Sequence, residues 1–318
     1  MKRRHFLTGS LLAVIFGRAN RNNLVNAMME STVEKPLPKR RYRDGVQLSV
    51  IGCGGIVLMG MPQRDANRVV AQSIGRGVNY FDVAPSYGRG EAEEKLGPAL
   101  KPYRKDVFLA CKTTERGAVG SQAELAHSLK RLYTDHFDLY QFHAVTKAED
   151  VEQIFAAGGA METVLKARDA GMVRYIGFSA HSESAALAMM DRFPFDSVLF
   201  PFNTVCYAQG NFGPAVMEAA KKKGVARLAL KMLARGPRPD GARKTYPKAW
   251  YEPIDDPETA RAAVRFTLTE DVTAAIPPGD LNLYNLALTL AAEFQPLTPE
   301  ERAEILAGTR GQQPLFSS

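Results

Sequence analysis

Residues 107 to 145 read VFLACKTTERGAVGSQAELAHSLKRLYTDHFDLYQFHAV. Two apolar runs, VFLACKT and FDLYQFHAV, bracket a helix-like segment from Ser121 to Tyr133. A strand, a helix and a second strand in that order make a βαβ unit, whose crossover places the two strands parallel and covers them with the helix. The question is how often the unit repeats.

Outward from this stretch the alternation continues in both directions. Strands are expected at LSVIGCGG, VNYFDVA, VFLACKT, FDLYQFHAV, VRYIGFSA, DSVLFPFN, VARLALKML and VTAAIPP. Between them helices are expected over residues 65–75, 91–100, 121–133, 148–170, 183–192, 214–223 and 256–270. An eighth is expected over 283–294 and a short one at TPEERAEIL. Gly77, Gly171 and Gly224 stand where a helix C′ glycine would stop the chain before a strand. RYRDGVQLSV, ahead of the first strand, reads as a hairpin turning at Asp44 and Gly45. Arg235 to Pro253 reads as one long loop. Eight strands and eight helices over about 270 residues give a (β/α)8 barrel with an N-terminal hairpin rather than an open doubly wound sheet. The glycine fingerprint of a dinucleotide-binding open sheet also fails in GCGGIVLMG, because Val57 takes the place of the third glycine after Gly52 and Gly54.

The chain of 318 residues is 45% apolar and 24% charged, an ordinary globular balance. Its net charge of +7 is concentrated at one end. Residues 1–45 hold ten Lys/Arg against three Asp/Glu, and the remainder is balanced, so the body offers no nucleic-acid surface. MKRRHFLTGSLLAVIFG has Arg3 and Arg4 ahead of an apolar run from Phe6 to Gly17, too short to span a bilayer. It resembles a twin-arginine export signal, with a general secretory signal or a frayed amphipathic start as the alternatives. The expected organisation is a signal segment over 1–27, a linker over 28–41 and the barrel over 42–318, exported to the periplasm by the twin-arginine machinery and without a membrane span in the mature chain. Cys53, Cys111 and Cys206 lack metal spacing or a disulfide framework and are expected to be buried thiols.

In such a barrel the chemistry sits at the C-terminal ends of the strands. Asp82, Lys112, His143 and Ser179 end four successive strands, each a polar group on an otherwise apolar run. A buried Lys112 ammonium needs a counter-charge, which Asp82 supplies from the next strand. Its charge is expected to lower the pKa of the Tyr87 phenol, making Tyr87 a proton donor, with His143 polarising the same substrate oxygen. No nucleophile with a base and no metal cage is apparent. A proton donor aimed at a carbonyl completes a reduction only with a separate source of hydride.

These residues resemble the aldo/keto reductase family, over roughly residues 42 to 295. FDVAPSYG is similar to the family stretch carrying an aspartate and a tyrosine, LACKT to its lysine strand and LYQFHAV to its histidine strand. The resemblance implies an NAD(P)H-dependent oxidoreductase acting on a small carbonyl or alcohol, with Asp82, Tyr87, Lys112 and His143 as its catalytic residues. It implies cofactor contacts at Gly54, Ser179, Asn203, Lys231, Gly279 and Asn285. Three positions depart from the family pattern: Ala180 and Leu199 replace the usual carboxamide-binding asparagine and glutamine, and Phe202 a ring-stacking tyrosine. NADP(H) is the family default; NAD(H) stays open, because no Lys or Arg lies between Pro278 and Asn285 and Asp280 would repel a 2′-phosphate. Two other readings remain: a cofactor-binding regulatory or redox-sensing barrel with little turnover, and a metal-dependent hydrolase using Asp82, His143 and His181.

Overall fold

A computed structural model describes residues 35–318; the expected signal segment lies outside the described residues. Eight parallel strands form one sheet: β3 (Cys53–Gly54), β4 (Tyr80–Asp82), β5 (Phe108–Thr113), β6 (Phe137–Val145), β7 (Val173–Ala180), β8 (Ser197–Pro201), β9 (Ala226–Leu230) and β12 (Ala274–Ile276), neighbours in that order. A parallel bridge between Ile51 and Ala275 joins the last strand to the first, with Gly52 N donating to Ala275 O at 2.9 Å and Ala275 N to Val50 O at 2.9 Å. The sheet is thereby a closed (β/α)8 barrel. Ahead of it, β1 (Lys39–Arg41) and β2 (Gln47–Ser49) pair antiparallel around Asp44 (φ 50°) and Gly45 (φ 80°), the turn that the sequence indicated.

The period-two geometry of the strands sorts their side chains into two cores. Tyr80, Phe108, Ala110, Leu139, Leu199, Leu228 and Ala274 fill the barrel interior, capped by Tyr42 from the hairpin, whose ring meets Phe108 and Tyr175 edge-on at 5.1 and 5.3 Å. Phe81, Leu109, Cys111, Tyr140 and Phe142 face outward into the layer between strands and helices. All three cysteines are buried and free. Helix α1 (Gln63–Gly75) buries Ala66, Val69, Val70 and Ser73 on one stripe of helical spacing and stops where Gly77 takes φ 92°. The outer ring continues with α2 (Glu91–Leu100), α3 (Ala118–Arg131), α4 (Ala148–Phe155), α5 (Ala160–Asp169), α6 (Glu183–Arg192), α7 (Thr204–Gly210) and α8 (Pro214–Lys223). It ends with α9 (Pro257–Thr269), α10 (Leu281–Ala292) and α11 (Pro299–Ala307).

Three local expectations are corrected. The segment 148–170 is two helices, because Gly158 takes φ 75° and the chain turns so tightly that a Cβ on Gly159 would lie 2.4 Å from Gln153 O. The run LSVIGCGG is divided between β2 and β3, so the first barrel strand is only two residues long. The stretch 235–253 is no simple loop: β10 (Ala234–Pro237) pairs antiparallel with β11 (Tyr251–Pro253), and the Arg238 guanidinium donates to Ala249 O and Tyr251 O across the excursion.

Candidate active site

Strands β4, β5 and β6 deliver a connected polar cluster to the C-terminal mouth of the barrel. Asp82 and Lys112 lie two residues beyond Tyr80 and Ala110, on the inward phase of their strands, and both are almost fully buried. The Lys112 ammonium donates to Asp82 Oδ1, to Val83 O at 3.2 Å and to the Tyr87 hydroxyl at 3.4 Å. Asp82 Oδ2 accepts from Gln141 Nε2 at 3.0 Å and from Tyr80 OH at 3.3 Å. Burial pulls the Lys112 pKa down, but the Asp82 carboxylate and the Tyr87 phenol beside it together more than compensate, and the ammonium is held above its ordinary pKa.

Tyr87 reaches this ammonium from a turn of uncommon backbone. Gly88, Arg89 and Gly90 take φ of 61°, 57° and 99° in succession. Two of the three are glycines, for which the left-handed region carries no Cβ penalty; Arg89 bears a cost of roughly 1–2 kcal/mol. The Glu93 carboxylate, wholly buried on α2, holds Arg131 at 3.1 Å, and the guanidinium of Arg131 lies where a side chain on Gly90 would project. The turn is thus fixed by α2 and α3 together. Burial pushes the Tyr87 phenol up from its ordinary pKa, and Lys112 only partly offsets this. The expected net lowering by Lys112 is therefore corrected: desolvation outweighs the cation in the free protein.

His143 presents its ring edge-on to Tyr87, centroids 5.6 Å apart, and its Nδ1 lies 3.3 Å from Ser86 Oγ. Burial first, then the charges of Lys112, His181, Arg116 and Lys231, depress its pKa to about 3. His143 is a neutral imidazole at physiological pH, suited to hydrogen bonding and not to carrying charge. Its main chain is clamped: Arg116 donates to His143 O at 2.8 Å, and Ala144, in the left-handed region at φ 52°, donates its N–H to Ser179 Oγ at 2.7 Å. The Ser179 hydroxyl accepts that bond and keeps its own proton for a further acceptor.

The remaining candidates occupy the other half of the mouth, from β7 round to β3. Asn203 is buried and accepts from Cys206 N at 2.9 Å, capping α7, while its Nδ2 is buried without an acceptor. A Cβ on Gly54 would lie 3.2 Å from Ile276, and one on Gly279 only 2.2 Å from Ile56, so Gly279 is required by close packing. Asn285 is half-buried on α10, and Asp280 caps that helix by accepting from Asn282 N at 2.9 Å and Leu283 N at 3.2 Å. Phe202 is fully buried, stacked on Phe266 at 5.7 Å, and Leu199 lies inside the barrel beside Ser179 in register. Lys231 follows β9, its ammonium 5.3 Å from the Trp250 ring centre and 4.9 Å from that of Tyr251. Gln141 was not singled out from the sequence. The signal was there in its inward phase, two residues after Leu139 on β6.

The family model described as the aldo/keto reductase family matches residues 50–305. The chain belongs to the aldo/keto reductase family. Its 29% identity to the aldo-keto reductase YhdN of Bacillus subtilis runs over 215 residues, 60% of each protein, so the chain spans about six tenths of that relative. Two solved aldo-keto reductases share the fold. AKR11C1 from Bacillus halodurans, in its holo form, superposes with a TM-score of 0.68 at 22% identity, covering 89% of this chain and 98% of that one. The Bombyx mori enzyme in complex with NADP superposes with a TM-score of 0.63 at 18% identity, covering 86% and 92%.

Proposed function

We propose that this member of the aldo/keto reductase family is an NAD(P)H-dependent oxidoreductase that interconverts a carbonyl compound and its alcohol, with Tyr87 as proton donor. The observation that carries the reading is the Tyr87 hydroxyl 3.4 Å from an ammonium that Asp82 keeps charged. Tyr87 gives its proton to the carbonyl oxygen as negative charge develops there. Lys112 stabilises the phenolate left behind, and Asp82 prevents the lysine from taking part as an acid itself. The neutral His143 orients the same oxygen by hydrogen bonding, a role that survives any pH at which the protein is folded above its low pKa.

The cluster holds no source of electrons. A nicotinamide cofactor would supply the electron pair that no side chain carries. The uncommitted Ser179 proton and the buried Asn203 Nδ2 fit such a group, as do the close-packed glycines Gly54 and Gly279 and the half-buried Asn285. NADP(H) is the family's usual choice and is bound in the Bombyx mori relative. The Asp280 carboxylate at the start of α10 weighs toward NAD(H). Ala180 and Leu199, in place of the family's carboxamide-binding asparagine and glutamine, favour as a second reading a cofactor-binding barrel with little turnover. Both are tested at once. Tyr87→Phe should lower carbonyl reduction by about a hundredfold or more while NADPH and NADH titrate it as they do the wild type. Undiminished turnover sinks the assignment of Tyr87, and cofactor binding by a wild type inactive toward a panel of aldehydes and ketones favours the second reading.

A further inference from the structure

The ladder between β6 and β7 runs in register up to Phe142 opposite Phe178 and resumes at Val145 opposite Ala180. Two residues of β6, His143 and Ala144, stand there against one of β7, Ser179, which is a bulge. Phe142 and Val145 consequently both face the outer core, which strict alternation over three positions would forbid. Ala144 takes up the extra length in the left-handed region, φ 52°. A bulge re-aims the side chains on its strand, and the one re-aimed here is the His143 imidazole.

Main-chain groups that the bulge takes out of the ladder find side chains instead. Ser179 Oγ accepts from Ala144 N at 2.7 Å, and the Arg116 guanidinium donates from one nitrogen to His143 O at 2.8 Å and Ala144 O at 3.3 Å. From Nε it donates to Asp150 Oδ1 at 3.0 Å. The other oxygen of that carboxylate accepts from Thr146 N at 3.0 Å and Lys147 N at 3.2 Å, where α4 begins. Arg116 is itself anchored, its carbonyl accepting from Ala160 N at 2.8 Å. The pair thus holds the chain on both sides of the bulge. A planar guanidinium can do so because its donors point in fixed, divergent directions; an ammonium has no such fork.

The ring of His143 has less to direct it. Ser86 Oγ lies 3.3 Å from Nδ1 and the Tyr87 ring meets it edge-on, so the main chain beneath it decides where it points. Lys112, His181, Arg116 and Lys231 are the charged and titratable groups that act on it, after burial itself.

Resting on the oxidoreductase reading, we propose that Arg116, braced by Asp150, is a positioning residue of the reaction: it fixes the bulge at His143 and Ala144, and thereby the direction from which the imidazole meets the substrate oxygen.

The test uses the full-length protein with Arg116→Lys, which keeps the charge and loses the fork, and Arg116→Met, which loses both. With 4-nitrobenzaldehyde and NADPH, kcat should fall about tenfold in Arg116→Lys and further in Arg116→Met, while KM and the NADPH titration stay within about twofold. The second readout is the imidazole itself. The chain has five histidines, and the C2 proton of His143 is the NMR resonance missing from His143→Gln. In the wild type it should not titrate above about pH 5; in both variants the freed ring gains solvent and its midpoint should rise by about one pH unit or more. In Arg116→Lys that rise has no lost cation to explain it. His181, held down by burial and Lys231, should titrate as before. Wild-type kcat in both variants overturns the proposal, and so does a fall in kcat with His143 titrating as in the wild type. A His181 midpoint that moves together with that of His143 also overturns it, since Arg116 would then brace the mouth in general. Should Arg116→Met not fold, Arg116→Lys decides by the same criteria. If the wild type reduces neither 4-nitrobenzaldehyde nor a panel of other aldehydes and ketones, the oxidoreductase reading fails, and the His143 titration alone decides whether Arg116 orients the ring.

Discussion

Asp82 accepts from Lys112, Gln141 and Tyr80, so its carboxylate is the hub on which three other side chains depend. Replacing it by Asn keeps the shape and removes the charge, leaving the Lys112 ammonium without a paired carboxylate among the described residues. Breaking a buried pair from one side costs about 3 kcal/mol or more, whereas replacing both partners by neutral groups costs much less. Asp82→Asn should therefore lower the urea-unfolding free energy by about 3 kcal/mol, and Asp82→Asn with Lys112→Met should recover at least half of that loss. A double variant no more stable than the single one would show that packing, not the uncompensated charge, carries the effect. At this scale much of the cluster was legible, because Asp82, Lys112, His143 and Ser179 each interrupt an apolar run at its end. The sign of the Tyr87 shift was not. It turns on how much water the folded loops exclude, and no spacing in the sequence encodes that.

The turn from Tyr87 to Gly90 carries Tyr87; local backbone bonds close it, Tyr87 N donating to Ala84 O at 3.1 Å and Glu91 N to Gly88 O, and α2 and α3 brace its three left-handed residues from outside. Gly90 sits against Arg131, where a Cβ would come within 2.8 Å of the guanidinium carbon, and its φ of 99° is one that alanine adopts only with strain. Gly90→Ala should destabilise the protein by roughly 1–2 kcal/mol and displace Arg131 from Glu93. Since Tyr87 moves with the turn, kcat should fall further than stability would explain while KM for substrate changes little. An unaltered kcat with reduced stability would detach the turn from proton delivery. Long periodic elements such as α1 and α9 were readable from their apolar stripes. The break at Gly158–Gly159, the short α7 behind Asn203 and the β10–β11 pair were not, because each depends on contacts remote in sequence or on a single cap, which leave no period to read.

Across the molecule, charge is distributed unevenly on two levels. The excess of +7 lies in residues 1–45, so the body is balanced overall. Yet its mouth gathers Lys112, Arg116, Lys231 and two imidazoles, and the described acids close to them are already paired. The imidazoles register this: burial and the surrounding cations hold His143 down to about 3, and burial with Lys231 holds His181 down to about 4. In the unfolded chain both return to about 6.5. Between that value and the folded ones, the unfolded state binds protons that the folded state refuses, so the unfolding free energy rises with pH across this window. Stability is fully present above pH about 6.5 and is lost as the solution is acidified toward pH 4. Paired carboxylates such as Asp150 are held low instead and give way only at still lower pH. A variant with both His143→Gln and His181→Gln should therefore show a flatter dependence of Tm on pH between 6.5 and 4.5 than the wild type, with the two converging in slope above pH 7. Parallel Tm profiles through that window would mean that the mouth admits protonated imidazoles, and that its cations are screened by solvent rather than concentrated by burial.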